Sequence, residues 1–185
     1  MSLPLHSGAD RRTRRGFAQA IDRPRGLASL LVIACFVALG AGLFVQHGLG
    51  YPPCSLCVLQ RLAFIFVLLL TLPIACFGAS PGVARTFAAP ALLAALLGLG
   101  VATYQVWTGA FPTEVARCGR GLAGYFEDLP FEEFATWVLA AEGDCGKPVR
   151  FFGVSLPQLG LLAFAVMTVA AVRLLLLSLR PSPRA

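Results

Sequence analysis

Hydrophobic side chains come in four long runs along this chain, at 27–46, 58–77, 87–107 and 157–179. The only charges inside them are Arg61 in the second and Arg173 in the fourth. About 20 apolar residues are needed for a helix to cross the hydrocarbon core of a bilayer, and each run reaches that length. None alternates apolar and polar positions as a barrel strand does, and only helices then satisfy every backbone group within lipid. The pattern predicts an all-α fold, an integral membrane four-helix bundle.

The intervening segments assign an orientation. Six arginines (Arg11, Arg12, Arg14, Arg15, Arg23 and Arg25) precede the first run, Arg85 lies in the connection 78–86, and Arg180 and Arg184 follow the last run. Basic flanks stay in the cytoplasm, so the segment 1–26 and the tail 180–185 are expected inside, and the loops 47–57 and 108–156 outside. The long outer loop holds Phe131, Phe134, Val138 and Ala141 at helical spacing, with acids on the other face. A short amphipathic helix is predicted over 130–142, either lying at the membrane interface or packed as a lid on the loops. Residues 13–17 also match a twin-arginine export signal. The length of the apolar run and the three spans that follow weigh toward insertion, and Cys54 lands outside on either reading.

Composition sharpens this picture. The 185 residues are 57% hydrophobic and 13% charged, with a mean hydropathy of +0.77. Too little polar surface exists to cover a soluble core, and disorder is excluded. The net charge of +6 could suggest nucleic acid. Its concentration ahead of the first span reads instead as topology, so no nucleic-acid partner is expected.

The candidate chemistry lies in the six cysteines. Cys35 and Cys76 fall within spans and are read as small buried hydrophobes. Cys54, Cys57, Cys118 and Cys145 all fall in outer segments, where disulfides persist. Cys54 and Cys57 form a Cys-x-x-Cys after Pro52-Pro53, at the start of the second span, where free N–H groups and the helix dipole stabilise a thiolate. Arg61 lies one turn further on the same face. It either snorkels to the interface or holds an anionic thiolate or ligand. Cys118 and Cys145 flank the amphipathic segment. They form either a structural staple, worth roughly 3 to 4 kcal/mol, or a mobile disulfide open to exchange through glycine-rich surroundings.

Two pairs on one face suggest a relay that passes two electrons by disulfide exchange. No dinucleotide-binding glycine motif and no haem-attachment histidine follows the cysteines, so a lipid-soluble quinone is the simplest acceptor. A metal site of four cysteines and an inert scaffold with two disulfides are the rival readings.

These residues resemble the disulfide bond formation protein B family, bacterial inner-membrane oxidases. The resemblance rests on Gln46-His47, Pro53-Cys54-x-x-Cys57-x-x-x-Arg61, Cys118, Gly143-Asp144-Cys145, Phe152-Gly153 and Leu156-Pro157-Gln158. It implies a thiol:quinone oxidoreductase whose partners are a periplasmic thioredoxin-like dithiol oxidase (DsbA type), the membrane quinone pool and lipid. Cys118 would form the mixed disulfide, and Cys145 would exchange with Cys54. Cys57 would then pass electrons to ubiquinone or menaquinone beside Arg61. His47 matches the pattern as a quinone contact, although a polar interfacial residue explains it as well. Some relatives carry a histidine near Gln105 and Trp107, and no quinone role is assigned to either residue. No metal ligand is expected.

Overall fold

The computed structural model describes residues 23–77, 81–111, 150–151 and 153–179. Helix α1 runs Pro24–Leu43 and continues into a π-helical turn, Phe44–Gly48. Helix α2 is Ser55–Phe77, α3 is Pro81–Ala110 and α4 is Leu156–Leu179. Each of the four is long and apolar enough to cross a membrane. The fold is the expected all-α bundle. A two-strand hairpin ahead of α4 is the departure from it among the described residues, with β1 (Arg150–Phe151) antiparallel to β2 (Val154–Ser155).

Small residues set the packing. Along α3 the buried positions are Ala84, Ala88, Ala91, Ala95, Gly98, Ala102, Gln105 and Thr108, spaced alternately four and three apart as far as Gln105. That is the seam of a left-handed helix pair, and small side chains let backbones approach where lipid supplies no hydrophobic drive between helices. On α4 the matching stripe is Phe164, Met167, Ala171, Leu174 and Ser178. Phe164 crosses the centre to stack on Phe64, with ring centroids 4.2 Å apart. Gly98 leaves the space for that ring, since a Cβ there would collide with it. Large apolar side chains such as Phe36, Phe66, Leu97 and Val169 point outward, as expected where the solvent is hydrocarbon.

Contacts at the helix ends show that neighbours run antiparallel. At one end, Arg25 Nε donates to Ala75 O at 3.0 Å and Arg85 Nε to Ser178 O at 3.0 Å. Both acceptors lie in a last helical turn, whose carbonyls lack intrahelical partners and carry the negative end of the dipole. The opposite end gathers the π turn, the start of α2, the end of α3 and the start of α4. There the hairpin turns at Gly153, with φ of +85°. The Ser155 N–H donates to Gln158 Oε1 at 2.9 Å. This is half of a capping box, and it anchors the start of α4.

One expectation is corrected. Cys35 is buried, but Cys76 is exposed. Thr71 and Ile74 face inward on α2, and Cys76, two positions past Ile74, is turned about 200° away from it. The amphipathic segment 130–142, residues 13–17, Cys118 and Cys145 lie outside the described residues.

Candidate active site

Proline places the sulfurs. Pro52 and Pro53 precede Cys54, whose carbonyl accepts the first helical hydrogen bond, from Val58 N at 3.1 Å. Cys54 is thus the N-cap of α2, and Cys57 stands in the first turn. Their Sγ atoms are 3.0 Å apart and hydrogen-bonded. That bond first, and burial second, push the Cys54 thiol above its ordinary range.

Arg61 is turned into the bundle and is only 7% exposed. Its Nη1 donates to Gln46 Oε1 and its Nη2 to Gly42 O at 3.0 Å. The π turn, of a kind frequent at functional sites, carries Gln46 to that position. A guanidinium bonded inward to α1 is not one that snorkels to the surface.

A second polar group comes from α3. Gln105 Nε2 donates to Cys54 Sγ at 3.2 Å and to Cys57 Sγ at 3.1 Å. Its Oε1 accepts from Gln60 Nε2. Gln60 and Gln105 are both buried.

These groups converge on a cavity of about 280 Å³, near the lower end of small-molecule sites. Cys54, Cys57, Gln60, Arg61 and Gln105 form its polar wall, and Val45, Phe64, Leu159 and Ala163 are among its apolar lining. Ala38 and Gly42 from α1 face Gly160 and Ala163 from α4 across it. This seam between α1 and α4 is more thinly packed than the other three. An apolar slot with hydrogen-bond donors and two sulfurs on one wall suits a single substituted ring bearing carbonyl oxygens. A quinone therefore fits the residues present.

The sequence model of the family described as disulfide bond formation protein DsbB matches residues 24–174. The chain is 34% identical over 152 residues to disulfide bond formation protein B of Aromatoleum aromaticum, covering 82% of this chain and 92% of that one. With the protein of the same name from Polaromonas naphthalenivorans it shares 32% identity over 160 residues, 86% of this chain and 95% of that one. With that of Chromobacterium violaceum it shares 37% over 130 residues, 69% and 78% of the two chains. The chain belongs to the DsbB family.

Within this DsbB-family chain, the structure brings Cys54, Cys57 and Arg61 to one cavity. Pro157, from the motif Leu156-Pro157-Gln158, lines the same cavity, while Gln158 caps α4. His47 stands exposed on the π turn and is not among the lining residues. Gln105, given no role from the sequence, bonds to both sulfurs. Its place in the α3 seam, where it and Thr108 follow a run of alanine and glycine, emerges only once the helix is packed. Trp107 is exposed and packs against Phe111, with centroids 4.8 Å apart.

Proposed function

We propose that this multi-pass membrane protein is a thiol:quinone oxidoreductase that reoxidises a thioredoxin-like dithiol oxidase and hands the electrons to the membrane quinone pool. The observation that carries this reading is the Cys54/Cys57 pair on the wall of an apolar cavity, beside a buried arginine. Arg25 and Arg85 lie at the opposite end of the bundle. This supports a bacterial inner-membrane orientation with both termini cytoplasmic and the sulfurs on the periplasmic side.

The relay balances as thiol–disulfide exchange. A thiolate of the partner attacks Cys118, forming a mixed disulfide and releasing Cys145 as thiolate. The partner's second thiol then displaces Cys118, so the partner leaves oxidised and Cys118 and Cys145 are reduced. Cys145 attacks Cys54 of the Cys54–Cys57 disulfide and frees Cys57 as thiolate. Cys118 closes on Cys145 and releases Cys54. Two electrons and two protons now reside on Cys54 and Cys57, and a bound quinone supplies the capacity to accept both. Arg61 holds positive charge at the wall where negative charge collects. The apolar lining excludes water from the sulfurs. The thin α1–α4 seam, lined by Ala38, Gly42, Gly160 and Ala163, is the side on which a ring with a lipid tail can enter.

Mixing the purified protein with a reduced thioredoxin-like dithiol oxidase and quinone, and following quinone absorbance, tests the proposal. One quinone reduced per partner dithiol oxidised is expected. Partner oxidation with no quinone consumed would overturn it.

A further inference from the structure

We propose that Gln60 and Gln105 act as an amide pair, in which Gln105 is a catalytic donor to both redox sulfurs and Gln60 sets the direction its amide faces. The inference rests on reading Cys54 and Cys57 as the redox pair, and deepens it.

A carboxamide has a donor end and an acceptor end, and the two have opposite effects on a sulfur that gains charge. The nitrogen of Gln105 lies 3.2 Å from Cys54 Sγ and 3.1 Å from Cys57 Sγ, so its two hydrogens can serve one sulfur each. Reversed, the amide would aim carbonyl lone pairs at both sulfurs and oppose the thiolate released when their disulfide is broken. Gln60 resists that reversal, because its Nε2 donates to Gln105 Oε1, and a flipped Gln105 would set two N–H donors against each other. Gln60 itself packs against α4 at Gly160. Its Oε1 lies where a Cβ on Gly160 would come within 2.6 Å, so glycine there leaves room for the amide. The two glutamines are 8% and 3% exposed, so competing water is largely kept away and each bond counts for more than at a surface.

The pair complements Arg61. Among the described residues, the titratable groups lining the cavity are Tyr51, Arg61 and the two thiols. Arg61 directs Nη1 and Nη2 to Gln46 and Gly42 and acts on the sulfurs through its charge, whereas Gln105 donates to them directly. A neutral donor also avoids the cost of a second cation within a spanning helix.

The test uses the full-length reduced protein in detergent. Iodoacetamide labelling of Cys57 is followed against pH with the site resolved by mass spectrometry, alongside kcat and KM for quinone. Gln105→Leu should move the labelling midpoint upward by about one pH unit, roughly a tenfold loss of reactive thiolate at pH values below the midpoint. Gln60→Leu and Gly160→Ala should move it the same way by less and lower kcat. The alanine at 160 meets only the far end of a flexible side chain, so it displaces the Gln60 amide without disturbing the backbone. An unchanged midpoint in Gln105→Leu would overturn the donor role. A shift in Gln105→Leu, with none in Gln60→Leu or Gly160→Ala, would overturn the role of Gln60. Quinone reduction by the unaltered protein reports separately on the proposed activity, and the labelling profile is read whether or not quinone is reduced.

Discussion

Arg61 sits one turn into a spanning helix, where a guanidinium without partners would be expensive. Its bonds to Gln46 and Gly42 offset that cost, and its burial beside two sulfurs gives the charge a use. Arg61→Leu is expected to weaken apparent quinone affinity by roughly ten- to a hundredfold, the scale of one charged hydrogen bond at about 1.5 to 3 kcal/mol. The variant should still insert normally. Arg61→Lys should restore only part, because an ammonium lacks the planar fork that can bond two groups at once. Quinone titrations of the three proteins check this, and unchanged affinity in the leucine variant would remove Arg61 from the site. Cys54, Cys57 and Arg61 were legible in the sequence because such residues are rare at the mouth of an apolar run. Gln105 was not, since a neutral amide near a helix end reads as ordinary interfacial polarity until a tertiary contact sets it against sulfur. The burial of Cys76 was misjudged because span membership says nothing about helix face.

Element lengths and order were legible because a bilayer imposes them, and the four helices answer to four apolar runs. Their ends were less so. The first turn of α2 contains Ser55 and Cys57, and α3 begins at Pro81, ahead of its apolar run, because helix starts are set by caps and proline and not by hydropathy. The hairpin 150–155 was not foreseen, as two-residue strands carry no periodicity. The α3 stripe yields a stability test. Gly98→Ala would drive a methyl into the Phe164 ring that stacks on Phe64, and overpacking of this kind costs about 1 to 3 kcal/mol. Unfolding in mixed detergent should show the loss, and a variant as stable as the parent would mean that the ring has room to move. At the start of α4, Gln158→Ala should cost about 0.5 to 2 kcal/mol through the lost cap on Ser155 N–H, measured in the same assay.

For the whole molecule, the two ends of the bundle are chemically distinct, with arginines on terminal carbonyls at one and the dithiol cavity at the other. Reporter fusions after Gly50, Ser80, Gly121 and Arg184 should read outside, inside, outside and inside. A reporter at Gly50 and one at Gly121 on opposite sides would separate the two cysteine pairs and end the relay. On the proposed route, electrons leave the protein through the Cys54/Cys57 pair in the cavity, and Cys118 and Cys145 serve only to bring them there. Quinone reduction driven by a small dithiol, with no partner protein present, separates the roles of the two pairs. A Cys118→Ser, Cys145→Ser protein should keep that activity while failing to oxidise the thioredoxin-like partner, and Cys57→Ser should lose both. Quinone reduction that survives Cys57→Ser at the rate of the unaltered protein would mean that electrons leave by another path.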